Sequence, residues 1–295
     1  MTRQERLHKI ELFIKKMPVL PVTVTKVKEI CDNPKTSPVD LHKVISLDPV
    51  LMGKVMKLIN SAYYGYSGKV TSLVRAIIML GMNTVKNLAL SATVMGLVNQ
   101  LEHSSLNSIK QFWQHSLCTG IAVKLLAKDK GLDRNTQEEY FVAGMLHDIG
   151  KIPIMSCFPE EYNRLTKECD SNAGRCLYME EKEIFEIDHS IAGEMIAELW
   201  NLENQIRQVI SYHHITDSRD IRYKDLVYTV AIADYFTNIN GYGFNCKSFR
   251  EVPDSILFEK TGITIEMLEN IKGIVADELE KAKEFLDFKE GVESL

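Results

Sequence analysis

The sequence predicts an all-α protein, and three observations carry that prediction. Apolar residues recur at three-to-four spacing through most of the chain, strand-like alternation with Asn-Gly turns is scarce, and prolines stand where helices begin or connect. A short helical leader runs to about Lys16. Leu41, Val44 and Ile45, then Leu51, Val55, Met56 and Ile59, trace the apolar faces of short helices in a stretch that reaches about Gln100. Asp48 before Pro49 reads as an N-cap with proline at the first helical position. Longer helices are expected from about Leu106, the first being IKQFWQHSLCTGIAVKLL, in which Ile109, Trp113, Leu117, Ile121 and Leu125 share a face. A last helix from about Thr264 to Phe288 places Met267, Leu268, Ile271, Val275, Leu279, Ala282 and Leu286 on one stripe. Packing is the first reading of that stripe and dimerisation the second. The polar stretch EHSSLNS marks a boundary, which gives an N-terminal helical lobe at 1–105, a second helical lobe at 106–240 and a C-terminal helical extension at 241–295.

Composition narrows the class. Hydrophobic residues make up 45% of the 295 and charged residues 25%, ordinary values for a chain folded nearly throughout. A net charge of −5 with no basic patch argues against a nucleic-acid partner. No segment approaches the roughly 18 apolar residues of a membrane span, and MTRQERLHKIELFIKKM lacks an apolar signal region, so a cytoplasmic protein without a membrane partner is expected. The six cysteines contain no CxxC pair, and Cys169 and Cys176, which bracket DSNAGR, read as ordinary loop thiols.

The chemistry concentrates in the histidines. Five of the eight fall between Leu106 and Asp234: His115, His147, His189, His213 and His214. His147 and Asp148 interrupt the apolar run FVAGMLHDIGKI, and Asp234 interrupts LVYTVAIADYF. A buried unpaired carboxylate costs several kcal/mol, so a cation is a natural partner for each. Any one of these histidines alone is more often a hydrogen-bonded core or surface residue than a ligand. Together they form a mixed nitrogen and oxygen set suited to Fe, Mn, Zn or Ni rather than Ca. Lys151, one turn after His147, is placed to stabilise a bound phosphate.

These residues resemble the HD superfamily of metal-dependent phosphohydrolases, whose pattern of a first His, a His-Asp doublet and a distant Asp is matched by His115, His147 with Asp148, and Asp234. His189 in DHSIAGEMIAELW and the pair His213 and His214 in ISYHH match the additional ligands of two-metal members. There the doublet Asp, here Asp148, bridges the ions, and Lys151 matches a phosphate-contacting lysine. Gln111 stands where three-metal members carry glutamate, so the resemblance implies two divalent ions. The double histidine is followed by HHITDSRDIRYKD without a Gly-Tyr-Pro loop, and Gly241, Tyr242 and Gly243 lie too far downstream to supply one. Cleavage of cyclic di-GMP is therefore not implied.

The N-terminal half, MPVLPVTVTKVKEI followed by SLDPVLMGKVMKLINSAYYGYSGKVTSLVRAIIMLG, resembles the HDOD domain of bacterial signalling proteins, and the likeness continues to about Phe236. Tyr63, Tyr64 and Tyr66 of the NSAYYG segment are read as packing residues rather than ligands. The resemblance implies an HD-domain-like helical bundle with an N-terminal helical lobe. It implies a regulatory module that works through signalling proteins or a small phosphorylated ligand, as a monomer or a homodimer. The alternative is a phosphohydrolase acting on a nucleotide or phosphodiester, with Asp148 between two ions that activate water and Lys151 on the phosphate. A di-iron redox or oxygen sensor is the third reading.

Overall fold

The computed structural model describes residues 1–60, 69–101, 106–171, 177–242 and 253–286, and all regular structure among them is helical, with no strand. No single helix among the described residues is long and apolar enough to cross a membrane. Tyr63, Tyr64, Tyr66, Cys176 and Gly243 lie outside the described residues. The chain divides into two compact units, Pro18–Gln100 with Ala276–Leu295, and Met1–Met17 with Leu101–Val275.

In the first of these units the helices begin where local chemistry starts them. α2 spans Val22–Asp32, α3 Pro38–Ile45, α4 Pro49–Ile59, α5 Leu73–Leu80 and α6 Met82–Gln100. Ser37 and Asp40 form a reciprocal capping box at α3, and the Asp48 side chain accepts from the Leu51 N–H at α4, with proline at the first turn in both. Such caps are each worth about 1 kcal/mol. α6 packs against α2, α4 and α5. It is longer than the short helices expected here, because Val85, Leu88, Ala89, Ala92, Val94, Met95 and Val98 bury it nearly all round and no single apolar stripe announces it. Asn60 holds both sides of a returning chain. Its amide donates to the Val70 carbonyl at 2.8 Å and its carbonyl accepts from the Val70 N–H at 2.7 Å.

The other unit contains α1 (Arg3–Lys16), α7 (Leu106–Asp129), α8 (Arg134–Leu146), α9 (Lys151–Cys157), α10 (Pro159–Ser171), α11 (Leu177–Phe185), α12 (His189–Leu199), α13 (Asn204–Tyr212), α14 (Lys224–Ile239), α15 (Ser255–Thr261) and α16 (Ile265–Leu286) up to Val275. The sequence placed α1 within 1–105, but α1 packs against α9, α11 and α12, burying Ile10 and Ile14. Cys169 lies buried on α10 rather than in a loop.

α7 and α8 form the most extensive pairing, and glycine permits its closeness. A Cβ on Gly144 would stand 3.0 Å from the Gly120 Cα, and one on Gly120 2.9 Å from the Phe141 carbonyl oxygen. A second close approach joins the start of α9 to α12, where a Cβ on Gly150 would fall 1.9 Å from the His189 carbonyl oxygen and 2.4 Å from the Gly193 nitrogen. These two approaches bring the histidine-bearing segments together.

Candidate metal centre

The apolar run FVAGMLHDIGKI reads in the sequence as one continuous helix carrying the His-Asp doublet; the structure places the doublet in the break between α8 and α9, where His147 caps α8 and α9 begins at Lys151. His213 likewise caps α13, with His214 just beyond, and His189 is the first residue of α12 behind the N-cap Asp188. Only His115 on α7 and Asp234 on α14 sit inside helices. At His147 and His213 a carbonyl of the last helical turn holds the imidazole in place.

Each anchor can be named. His147 Nδ1 donates to the Gly144 carbonyl at 2.7 Å, His213 Nδ1 to the Val209 carbonyl at 2.9 Å, and His115 Nδ1 to the Tyr242 carbonyl at 3.2 Å. His189 Nδ1 lies 2.5 Å from a Glu181 carboxylate oxygen. In all four rings Nδ1 is engaged outward and Nε2 is left for the interior, the arrangement by which hydrogen bonds on the far side of the ring orient metal-binding imidazoles.

The inward atoms converge in two groups that share one residue. His115, His147, Asp148 and Asp234 form one group; Asp148, His189, His213 and His214 form the other; in each, the ligand-type atoms lie within 4.8 Å of one another. Asp148 Oδ2 is 3.3 Å from His115 Nε2 and 3.4 Å from His147 Nε2, and Asp234 Oδ1 is 2.9 and 3.3 Å from the same two nitrogens. Asp148 Oδ1 faces the other way, 3.2 Å from His189 Nε2 and 3.7 Å from His213 Nε2, while His189 and His214 approach through Nε2 at 2.9 Å. Donors at about 2.1 Å from a common ion in tetrahedral or octahedral geometry stand roughly 3.0–3.4 Å apart, and these separations fall around that range.

Polar satisfaction supports the same reading. His115 Nε2, Asp148 Oδ1 and His213 Nε2 are buried without a hydrogen-bond partner, so the short separations bring these atoms together without donor–acceptor alignment. Buried polar atoms are nearly always paired, and orphans within such groups, His115 Nε2 in one and Asp148 Oδ1 with His213 Nε2 in the other, are what a cation would satisfy. His115, His147, Asp148, His189, His213 and Asp234 are all at most 5% exposed. The residues therefore fit a metal.

Burial alone would raise Asp148, but His147, Lys151 and His189 outweigh it and hold the carboxyl well below the usual range. Asp234 is likewise held well below that range against burial by His115 and His147. Burial depresses His213 and, more strongly, His214, which favours the neutral imidazole that a metal would need. For His115 burial pulls downward, but the Asp148 and Asp234 carboxylates outweigh it and bring the imidazole up to about 9. His115 therefore stabilises the metal-free fold most below its ordinary value of 6.5, and that contribution is lost as pH rises through about 9. A bound metal would displace this proton. Metal affinity, measured by chelator competition, is expected to climb at least about tenfold per pH unit between 7 and 9; a flat profile would contradict it.

Glu181 was not legible as a site residue. It sits in the acidic run EEKE, which resembles a solvated face, yet it is fully buried. It accepts from the His189 N–H at 2.8 Å and the Tyr162 hydroxyl at 2.7 Å besides holding the His189 ring. The available signal was the i, i+4, i+8 spacing Leu177, Glu181, Phe185, all buried on one face of α11. Glu181→Gln removes the charge and is expected to weaken metal retention by about 10- to 100-fold at the His189 group, read by metal content during chelator titration. Tyr242, discounted in the sequence, contributes its carbonyl to His115, and Tyr178 stacks on His214 at 4.7 Å. Asn238 donates to Asp234 at 3.0 Å. Lys151 Nζ donates to Asp148 Oδ2, and Asp148 and Asp234 hold its ammonium above the ordinary lysine value despite burial.

Residues 17–216 match the HDOD domain family. The chain belongs to that family. The HDOD match ends before Asp234 and Tyr242, so two of the groups around the site come from beyond it. An uncharacterized protein of Treponema pallidum (strain Nichols) is 28% identical over 218 residues, covering 74% of this HDOD chain and 41% of the relative, so the chain spans about two fifths of that relative's length. Among solved structures, an HDOD domain protein of unknown function from Geobacter sulfurreducens aligns with a TM-score of 0.76 at 20% identity, covering 97% of this chain and all of that one. A protein from Shewanella amazonensis SB2B, named as a proposed metal-dependent phosphohydrolase, aligns at 0.62 and 17% identity over 97% and 99% of the two chains. A signal transduction protein, so named provisionally, from Marinobacter aquaeolei VT8 aligns at 0.74 and 17% over 96% of this chain and 65% of that one. At these identities the likenesses establish the fold.

Proposed function

We propose that this HDOD chain is a signalling module built around a two-metal centre, with Asp148 as the bridging ligand. The observation that carries the reading is the placement of Asp148, whose two oxygens face two different sets of histidines. His115, His147 and Asp234 would complete one position, and His189, His213 and His214 the other. The donor set favours Fe, Mn, Zn or Ni. Deep burial of the donors favours a regulatory or structural role, since a catalytic ion must keep a coordination position open to substrate.

A phosphohydrolase is the second reading, favoured by the buried cation of Lys151 beside the bridging carboxylate. In that reading the ions would supply Lewis acidity and an activated water, and Lys151 would stabilise charge on the phosphate. Metal analysis of purified protein followed by a phosphodiesterase and nucleotidase screen with Mn and Fe separates the two. The module reading expects two ions per chain and no turnover. Metal-dependent turnover, falling about 100-fold in a Lys151→Ala variant that keeps its metal, would replace it with the hydrolase reading.

A further inference from the structure

α12 and α13 carry metal-site histidines at their ends, but between them, with the loop after His214, they also line a separate cleft of about 480 Å³. That volume lies within the roughly 300–1,000 Å³ of small-molecule sites. The loop is pinned rather than loose. Gln208 on α13 donates to the Asp220 carbonyl at 2.9 Å and accepts from the backbone N–H groups of Arg222 at 2.7 Å and Tyr223 at 3.1 Å, while Ile221 is buried beneath. One side chain thus fixes the backbone on either side of Ile221 and sets the positions of the arginines.

The chemistry of the lining is specific. Arg207 is engaged by Glu198 at 2.8 Å and Glu194 at 3.7 Å. Arg219 and Arg222 also line the cleft, and neither guanidinium has an ion-pair partner among the described residues. Tyr212 and Tyr223 bring aromatic rings to the same cleft, and Glu194 and Asp220 bring carboxylates. Two unpaired guanidiniums match a phosphate, a tyrosine face matches a planar ring, and the carboxylates accept from amino or hydroxyl groups.

We propose that this cleft binds a small phosphorylated molecule bearing a planar ring, of the nucleoside monophosphate class. Arg219 and Arg222 hold the phosphate, Tyr212 or Tyr223 stacks on the ring, and Asp220 with Glu194 accepts from its donors. The site is distinct from the metal centre and stands whether or not that centre is catalytic.

The test is calorimetric titration of the full metal-loaded chain with AMP, GMP and inorganic phosphate. At least one nucleotide is expected to bind saturably, and phosphate alone at least about tenfold more weakly, because stacking on one ring contributes roughly that much. Arg219 and Arg222 are exposed, so the double variant Arg219→Ala, Arg222→Ala should keep its metal content and melting temperature while losing at least about tenfold in nucleotide affinity. Tyr223→Ala, at a 41% exposed position, tests stacking with little risk to the fold. Absence of saturable binding by either nucleotide, equal affinity for phosphate alone, or wild-type affinity in the double arginine variant would each overturn the proposal.

Discussion

Replacing Asp148 by asparagine is expected to empty both of the proposed metal positions and to lower the melting temperature more than chelation of the wild-type protein does. The two effects have separate origins. Loss of the shared carboxylate removes a donor oxygen and a negative charge from both histidine groups at once. Independently, it removes the charge of the carboxylate that the Lys151 ammonium, 6% exposed, bonds in the metal-free protein. Weakening a buried charge-assisted contact in this way costs about 1–3 kcal/mol, on the order of 5 °C for a protein of this size. Chelated wild-type protein retains the pair and should suffer only the loss of metal linkage. Elemental analysis combined with calorimetry, with and without chelator, reads both effects. An Asp148→Asn protein that holds two ions, or that melts with the chelated wild type, would contradict the assignment.

The second large effect is expected at a residue with no side chain. In Gly150→Ala the new methyl group would meet the His189 carbonyl oxygen at 1.9 Å and the Gly193 nitrogen at 2.4 Å, and both are backbone atoms that cannot rotate aside. α9 and α12 must separate, at a cost of about 3 kcal/mol or more. His189 begins α12, so the separation carries it away from Asp148 Oδ1. The His115, His147, Asp148 and Asp234 group does not depend on α12, so on the two-metal proposal the variant is expected to retain one of the two ions. Gly53→Ala supplies the control. No atom lies within 4 Å of its added Cβ in α4, so it should be neutral or stabilising by about 0.5–1 kcal/mol. Equal loss of stability in the two variants would argue against the close approach.

Much of this was legible in the sequence because it is local. Three-to-four periodicity gave the all-α class, and Asp48 with Pro49 marked the start of α4. His147, Asp148 and Asp234 stood out because they interrupt apolar runs and the other histidines by their concentration between Leu106 and Asp234, and the structure brings all seven together. What was hidden depends on distant chain. The anchoring of His115 rests on a backbone carbonyl 127 residues away, which leaves no trace in residue type. Glu181 was masked by acidic neighbours, since only packing distinguishes one glutamate of an EEKE run from the next. The termination of α8 at Leu146 was also invisible, because the apolar pattern runs on through Ile149 and Ile152 while the backbone turns.

The end of α13 places two kinds of chemistry on consecutive residues, Tyr212 lining the cleft and His213 and His214 belonging to the metal group. The two are joined by consecutive backbone, so on both proposals an occupant that shifts Tyr212 would also shift the nitrogens of the histidine group. Thermodynamic linkage then sets a reciprocal relation: whatever factor an occupant applies to metal affinity, the metal applies to the occupant's affinity. Titrating either one in the presence and absence of the other measures the same coupling constant, and its size states how much information passes along that stretch of backbone.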